Sequence, residues 1–399
     1  MATHALFEPA RLGPIEVRNR TVKAATYESL GRDGLVTDEL IAWHREIAQG
    51  GVGVSTLSYC SVSSDGRTFA DQLVMRRDAL PGLTRFCQEI RATGSTPAVQ
   101  LGHAGWFADP HATGEQPMGP SAQFSPHGGT RSRAMSVADI ERVTHDFAEA
   151  AAMAEEAGFG GVEIHIGHGY LLSQFLCPWN NRRDDEHGGT IENRARFARS
   201  VCEAVRARVG GRIAIWAKLN MDDGFRSGMT LDEGLAVARM LDADGTLDAI
   251  QLTGGHTTRS PMYLLRGDAP RKAMFEDDPN PVRRAIIRVG APLVIRNLDF
   301  EEAFFRPKAE LFRRAIDTPV MLLGGLTRRD SMLDAIDGGF AFVTIGRALL
   351  REPDLIARYE AEDAATSRCI PCNLCIAKVG YQPTRCVRRP TEPENVTVA

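Results

Sequence analysis

Short apolar runs rich in β-branched residues alternate along the chain with longer segments whose apolar residues recur at helical spacing. Eight strand-like runs lie near residues 20–26, 52–59, 96–102, 162–166, 213–219, 248–253, 319–323 and 341–345. Each run is followed by a helix or by a connection that carries one. Eight alternating strand and helix pairs predict an α/β protein with a (β/α)8 TIM barrel.

Helix boundaries show in the same pattern. Before the fourth run, apolar residues recur at helical spacing over 140–154, with Ser136 as the expected N-cap and Gly158 as the expected stop. Thr230 and Thr327 are each followed by an acidic residue three positions later, which predicts two further helix starts. The connection after the sixth run, 254–318, is far longer than an ordinary strand-to-helix loop. It predicts an excursion over the barrel mouth with its own helix, or surface decoration.

Candidate chemistry lies at the end of the fourth run. Because the run alternates, Glu163 and His165 face the barrel interior, and side chains near a strand's carboxyl end open onto the catalytic mouth. His168 and Tyr170 follow in the next loop. Imidazole N–H groups can bind an oxygen that gains negative charge, and a phenol can deliver a proton. The alternative is that the histidines bond backbone groups and the tyrosine only packs.

The last two runs end in glycine, at Gly324 and Gly325 and at Gly346, and Arg347 follows. Backbone N–H groups after the final two strands of such barrels often bind phosphate, and a guanidinium adds a forked charge. This pattern predicts a phosphate site. The alternative is that the glycines shape turns and that Arg347 pairs with one of the acidic residues that follow it.

Charge and hydropathy exclude several classes of function. A formal net charge of -4 leaves no basic footprint for nucleic acid or an anionic membrane. No apolar run reaches the roughly 18 to 20 residues that a membrane span needs, and the N-terminus lacks a signal pattern. We therefore expect a soluble cytoplasmic protein that acts on a small molecule.

The eight cysteines fall into two groups. Cys60, Cys87, Cys177 and Cys202 are scattered, as buried small apolar residues would be. The other four lie in one C-terminal segment with the spacing C-x2-C-x2-C-x10-C: Cys369, Cys372, Cys375 and Cys386. This spacing indicates a sulfur-ligated metal site. We expect the barrel over 1–362 and a Cys-rich extension over 363–399.

The stretch 161–197 resembles a signature of the old yellow enzyme family of FMN-dependent oxidoreductases, and the resemblance covers nearly the whole chain. The matching residues are His165, His168, Gly169, Tyr170, Gln174, Phe175, Pro178, Asn181, Arg183, Asp185, Gly188, Gly189, Glu192, Asn193, Arg194, Arg196 and Phe197. His187 stands where the family usually has Tyr. Residues 5–20 resemble the hairpin that plugs the barrel bottom in this family. The glycines and arginine after the last two runs resemble its phosphate motifs.

The resemblance implies a reaction and a set of flavin contacts. NADH or NADPH would reduce FMN, and the hydride would pass to an alkene conjugated to a carbonyl or nitro group. His165 and His168 would bind the activating oxygen, and Tyr170 would protonate the α-carbon.

Gln100 and Lys218 would contact the flavin edge, the lysine standing where many relatives have arginine. Thr26 is our choice over Tyr27 for the contact near flavin N5 or O4. Tyr59 stands where many ene-reductases have a small residue, and would narrow the pocket.

Within this family, 2,4-dienoyl-CoA reductase and trimethylamine dehydrogenase carry a [4Fe-4S] cluster on a C-x-x-C-N motif like that at 369–373. The cysteines could accordingly hold a [4Fe-4S] cluster, a zinc ion or nothing, and a separate electron-transfer protein is a candidate partner. Two rival functions follow. One is an amine dehydrogenase or demethylase that passes electrons through the cluster, and the other is a flavin electron carrier.

Overall fold

Eight parallel strands close into a barrel in which the first strand pairs with the eighth. The computed structural model describes residues 4–125, 127–276, 281–362 and 366–389. The barrel strands are Thr21–Lys23, Val54–Ser61, Thr96–Gly102, Gly161–Ile166, Ala214–Asn220, Ala249–Thr253, Val320–Leu323 and Phe342–Ile345. Every predicted run overlaps one of them, with ends that differ by at most three residues, so the prediction of a (β/α)8 barrel is confirmed.

Helices surround the barrel on its outer face. The longer ones are Asp38–Gln49, Leu80–Arg91, Val137–Ala157, Ile191–Val209, Leu231–Asp244, Arg306–Arg313, Arg329–Asp337 and Leu355–Ala361. Ser136 and Thr230 each form a capping box at a helix start, and Gly158 ends its helix with a φ of 94°. These three predicted boundaries are confirmed.

The helix predicted to start near Thr327 is present as Arg329–Asp337, but Thr327 does not cap it. The N-cap is Arg328, and no side chain caps the helix. Instead, the backbone N–H groups of Thr327 and Arg328 donate to the carboxylate of Glu302, at 2.8 and 3.0 Å, and the Thr327 hydroxyl donates to it as well. A carboxylate from a distant part of the chain thus replaces the local cap.

The barrel has two cores. One fills its lower interior and includes Val22, Trp216 and Phe342 together with residues of the N-terminal hairpin, Ala10–Leu12 paired with Ile15–Val17. The hairpin closes the barrel bottom, as expected. The larger core lies between strands and helices and includes Val162, Ile164 and Ile166. Glu163 and His165, which alternate with them on the same strand, face inward, as the sequence predicts.

The long sixth connection crosses the barrel mouth and carries the helices Pro261–Leu265, Ala273–Glu276 and Pro281–Val294. Pro261, Leu264, Phe300 and Phe304 from this connection line the cavity at the mouth. The predicted excursion over the barrel mouth is therefore confirmed, and the alternative of surface decoration is excluded.

Short elements complete the described part of the chain. They are the helices Pro110–Thr113, Leu171–Leu176, Arg347–Arg351 and Leu374–Ala377, the 3-10 turns Ala5–Phe7, Ser64–Gly66, Arg77–Ala79 and Gly105–Phe107, and the two-residue strands Met118–Gly119, Phe124–Ser125, Thr130–Arg131 and Arg133–Ala134. The predicted domain boundary at 363 and the tail from 390 fall outside the described residues. No helix in the described ranges is long and apolar enough to cross a membrane.

Candidate functional site

A cavity of about 410 Å³ opens among the carboxyl ends of the barrel strands. Its volume lies within the range of about 300 to 1,000 Å³ typical of ligand and cofactor sites. The residues predicted for the barrel site all line it: Thr26, Tyr59, Gln100, His165, His168, Tyr170, Lys218, Gly324, Gly325, Gly346 and Arg347. The structure therefore brings residues from seven of the eight strand ends, and from the loops that follow them, into one place.

The two histidines and the tyrosine meet on one side of this cavity. The His165 ring centroid is 5.1 Å from that of His168 and 4.7 Å from that of Tyr170. His168 has a φ of 59°. Its backbone N–H donates to Asn220 Oδ1 at 3.1 Å, and its Nε2 lies 2.8 Å from Thr253 Oγ1. Neighbouring strand ends thus hold the loop that carries His168 and Tyr170.

Burial sets the protonation states of these three groups. It lowers the pKa of His165 well below its usual value, and it lowers the pKa of His168 to about 3. Burial raises the pKa of Tyr170 to about 12. Near neutral pH the site therefore presents two neutral imidazoles and a protonated phenol.

Glu163 binds both residues that we expect at the flavin edge, Lys218 and Gln100. The sequence predicts no functional role for Glu163. It is fully buried. Its Oε1 accepts from Lys218 Nζ at 2.7 Å and from Gln100 Nε2 at 2.5 Å, and its Oε2 accepts from the Trp216 indole at 2.8 Å. The sequence signal was available, because Glu163 lies two residues before His165 on the same inward face of the strand.

Tyr59 lies beside His165, with their ring centroids 6.4 Å apart. Its hydroxyl lies 2.6 Å from Thr68 Oγ1, and its ring packs edge-on against Tyr170 with centroids 5.1 Å apart. The ring therefore occupies space beside the predicted proton donor, as expected from a large residue at this position.

The late glycines shape the cavity wall in two ways, two by close packing and one by leaving space. A Cβ on Gly324 or Gly325 would lie 2.5 or 2.6 Å from Phe305 or Phe304, and both glycines have positive φ. A Cβ on Gly346 would meet only Ala24, at 3.9 Å, so it would project into the cavity. Backbone groups near Gly346 are consequently open to a ligand, as a phosphate cradle requires.

Three buried polar atoms on cavity-lining residues have no partner within the described part of the chain: Thr26 Oγ1, His165 Nδ1 and Thr257 Oγ1. Buried polar atoms are nearly always paired in folded proteins, so these atoms indicate a ligand that bonds them. Tyr27 lines the cavity too, but its ring stacks on Phe69 with centroids 4.6 Å apart. The unpaired hydroxyl favours Thr26 for the flavin contact. Thr257 has no distinctive sequence signal.

A flavin therefore fits the donor set of this cavity. Thr26 offers a hydroxyl, Gln100 and Lys218 offer an amide and a cation, and the wall at Gly346 is open. An amide and a cation at a flavin's edge stabilise its reduced form electrostatically.

Arg347, predicted to bind phosphate, is partly engaged by other groups of the protein. Its Nη1 donates to the carbonyl oxygen of Arg266 at 3.2 Å and to Asn373 Oδ1. It forms no ion pair with the acidic residues that follow it in the described ranges.

The four C-terminal cysteines line a second, smaller cavity. Cys369 and Arg347 line both cavities and so form a shared wall. Burial raises the pKa of Cys369 to about 11 and that of Cys375 to about 12, although the charge of Arg347 acts in the opposite direction. No three Cys, His, Asp or Glu side chains in the described ranges are grouped to hold a single metal ion. Four thiols that line one cavity are the donor set that an iron-sulfur cluster requires.

The four scattered cysteines, Cys60, Cys87, Cys177 and Cys202, are buried and unpaired. Their burial agrees with the prediction, and they line neither cavity.

Comparison with known proteins gives a consistent assignment. A sequence model of the NADH:flavin oxidoreductase / NADH oxidase family matches residues 5–253. The chain is 43% identical over 387 residues to a 4,4'-dithiodibutanoate disulfide reductase from Rhodococcus erythropolis, covering 97% of this chain and 96% of that protein.

Two further similarities involve longer proteins. A multifunctional alkene reductase/demethylase from Caballeronia cordobensis is 30% identical over 93% of this chain and 51% of its own length. The structure of a 2-naphthoyl-CoA reductase in complex with 2-naphthoyl-CoA matches with a TM-score of 0.78 at 25% identity, covering 93% of this chain and 54% of that one. The chain thus spans about half the length of these two proteins.

Proposed function

The chain belongs to the NADH:flavin oxidoreductase / NADH oxidase family, and from this premise we propose that it reduces the C=C bond of an alkene conjugated to a carbonyl or a related activating group. It is an FMN-dependent oxidoreductase that takes its electrons from NADH or NADPH. The observation that carries the proposal is the convergence of two neutral imidazoles and one protonated phenol on the cavity.

These three groups have distinct roles in the proposed reaction. His165 and His168 donate N–H bonds to the activating oxygen of the substrate, which draws electrons out of the alkene. Bound FMN supplies the hydride. Tyr170 then gives its phenolic proton to the carbon next to the activating group, and solvent restores that proton. Because both imidazoles are neutral, each has one N–H and places no second charge beside Lys218. The N–H of His168 is free for the substrate when it lies on Nδ1 and the Thr253 hydroxyl donates to Nε2.

The residues that would hold FMN are those already placed around the cavity. Thr26, Gln100 and Lys218 would bind the ring edge, and the backbone near Gly324, Gly325 and Gly346 would bind the phosphate. Arg347 would add positive charge at the phosphate end. Tyr59 would narrow the substrate side of the cavity by its contact with Tyr170.

Tyr170→Phe tests the proposal directly. Loss of a general acid typically costs about 10² to 10⁴ in rate, so reduction of 2-cyclohexenone should fall by that factor while reduction of the flavin by NADPH continues. Tyr263→Phe is the matched control, since its hydroxyl bonds Asp222 outside the cavity. A Tyr170→Phe protein with the full rate of alkene reduction would remove Tyr170 from this role.

Reduction of an organic disulfide is a second candidate, favoured by the Rhodococcus relative. One sulfur would receive the hydride, the S–S bond would break, and Tyr170 would protonate the thiolate that leaves, so two thiols would form. Turnover of 4,4'-dithiodibutanoate without turnover of any activated alkene would select this candidate over the first.

An oxidative function remains the alternative for the cysteine site. The wall shared through Cys369 and Arg347 would let electrons pass from FMN towards the cysteines, and the Caballeronia relative is named as a demethylase as well as an alkene reductase. A separate electron-transfer protein would then accept them. Stopped-flow bleaching of the flavin by N-methylated amines without NAD(P)H would support this function, and its absence across a panel of amines would refute it.

A further inference from the structure

The ten residues between Cys375 and Cys386, here called the cysteine loop, connect the two cavities. Cys375 and Cys386 line the small cavity. Ile376, Val379 and Thr384, which lie between them in the chain, line the large one. The cysteines that flank the loop therefore lie at the cysteine site, while three residues along it line the proposed substrate pocket.

Hydrogen bonds dock this loop onto the segment that follows the first barrel strand. Thr384 Oγ1 donates to the Tyr27 carbonyl oxygen at 2.6 Å, and the Thr384 N–H donates to the Glu28 carbonyl oxygen at 2.8 Å. The Gly380 N–H donates to Ser29 Oγ at 3.0 Å. Thr384 is fully buried, so water cannot replace its bonds without a local opening of the structure.

The docked loop also supports the aromatic wall of the pocket. Gly380 has a φ of 85°, and a Cβ there would lie 2.4 Å from the Phe69 ring, so only glycine allows this approach. Phe69 in turn stacks on Tyr27, and both rings line the large cavity. A shift of the loop would therefore move the wall.

The opposite side of the contact is firmly held. The Glu28 carboxylate accepts from Lys23 Nζ at 2.6 Å and from the Ser58 N–H at 3.2 Å, with both charged groups buried. The segment 27–29 is thus fixed to the barrel. The cysteine loop, in contrast, includes only part of one four-residue helix, and its contacts with the rest of the chain include the docking bonds of Gly380 and Thr384 and the pair of Arg385 with Glu39.

We propose that Thr384 is a positioning residue that docks the cysteine loop as a wall of the substrate pocket, and that ligation of the cysteines fixes this wall by holding both ends of the loop. The inference rests on the proposed function only in treating the large cavity as the substrate pocket. Filling the cysteine site would then tighten ligand binding in the large cavity, because a closed loop has less conformational entropy to lose.

Hydrogen exchange of the FMN-bound protein tests the docking without any turnover. The amides of Gly380 and Thr384 should exchange about tenfold more slowly in protein reconstituted anaerobically with iron and sulfide than in Cys386→Ser protein treated in the same way, because ligation restrains loop opening. Equal exchange rates in the two proteins would overturn the proposal.

Ligand binding tests the consequence for the pocket. Cyclohexanone, which offers a carbonyl but no alkene, would be titrated into the oxidised protein and followed by the flavin absorbance. Thr384→Val should weaken its binding about tenfold, since a buried acceptor loses its donor, and Thr384→Ser should restore it. Cys386→Ser should weaken binding to a similar extent.

Arg385→Gln is the control. Arg385 lies on the same loop, and the substitution removes its exposed ion pair with Glu39 while leaving both cavities intact. Unchanged affinity in Thr384→Val and Cys386→Ser would overturn the role of the loop in the pocket. If cyclohexanone does not bind the unaltered protein, the proposed function fails, while the exchange rates still decide the docking.

Discussion

The two cavities share a wall but are built in different ways. The inner groups of the large cavity stand on barrel strands and are buried, with Glu163 fully buried and Lys218 and Gln100 bonded to it. The small cavity is formed by a segment with one four-residue helix, and three of its four cysteines are partly exposed. The first is a rigid site fixed by the fold, and the second is a site whose geometry its own ligands would complete.

This difference predicts opposite responses to mutation. Removing one member of a buried polar network leaves its partners unpaired inside the protein, which costs stability. Removing one cysteine from the smaller site leaves the barrel strands and their hydrogen bonds untouched. The fold should therefore depend strongly on the inner groups of the large cavity and weakly on the four cysteines.

Glu163→Gln should have the largest effect on stability. It removes the only carboxylate bonded to Lys218 in the described part of the chain, and breaking a buried ion pair typically costs about 3 to 5 kcal/mol. We expect a loss of that size in the free energy of unfolding by urea, together with loss of bound flavin.

Glu149→Gln is the matched control for this change. Glu149 pairs with Arg208 at 2.8 Å on the surface, where such pairs contribute about 0 to 1 kcal/mol. Equal effects of the two substitutions would show that the inner network does not hold the site together.

Acidification should have the second largest effect, by destabilising the region at the strand ends. The pKa of His168 and that of His256 are lowered by burial to about 3, whereas the ordinary value is 6.5. As the pH falls below 6.5, these histidines therefore bind protons in the unfolded chain before they do so in the folded protein. Their contribution to the free energy of unfolding is full above pH 6.5 and is lost as the pH falls towards 3. Each such histidine contributes a slope of about 1.4 kcal/mol per pH unit.

Urea unfolding between pH 6.5 and 5 measures this slope before the carboxylates of the unfolded chain titrate. His168→Asn should reduce the slope by about one proton's worth, because Asn cannot be protonated in this range. The same substitution at the exposed His145 is the control. An unchanged slope in His168→Asn would contradict a neutral His168 in the folded protein.

Sequence predicts the large cavity well for a physical reason. In a strand the side chains alternate with a period of two, so one inward residue on the fourth strand fixes the direction of its neighbours. The closure of the barrel then brings His165, Lys218 and Gln100 to the same end. The glycines and Arg347 directly follow the last two strands, so closure of the barrel places them at this end as well. Their expected roles come from the resemblance to the family.

Sequence could not place the second region. Thr384 bonds Tyr27 across 357 residues of chain, and Glu302 replaces a local cap at Thr327. Neither contact has a periodic pattern, since each depends on where separate loops meet. The spacing of the cysteines predicts a common site, but not that the loop between them reaches the large cavity.

Gly346→Ala should have a smaller effect, on the cofactor rather than on the fold. The added methyl group meets only Ala24 at 3.9 Å and enters the cavity. We expect FMN affinity, measured by quenching of flavin fluorescence, to fall about tenfold, which is about 1.4 kcal/mol, with unchanged stability of the flavin-free protein. Gly211→Ala, which adds a methyl group in open space, should leave the affinity unchanged.

The smallest effect on stability is expected for Cys372→Ser, although its effect on metal content is complete. Cys372 lines the small cavity and no other, and the substitution changes one atom of a partly exposed side chain. Surface changes of this kind usually alter stability by no more than about 0.5 kcal/mol. Iron and acid-labile sulfide should be lost after anaerobic reconstitution, while the flavin spectrum and the unfolding midpoint persist. Loss of flavin together with iron would mean that the two sites form one folding unit, and the contrast between a fold-determined site and a ligand-completed site would not hold.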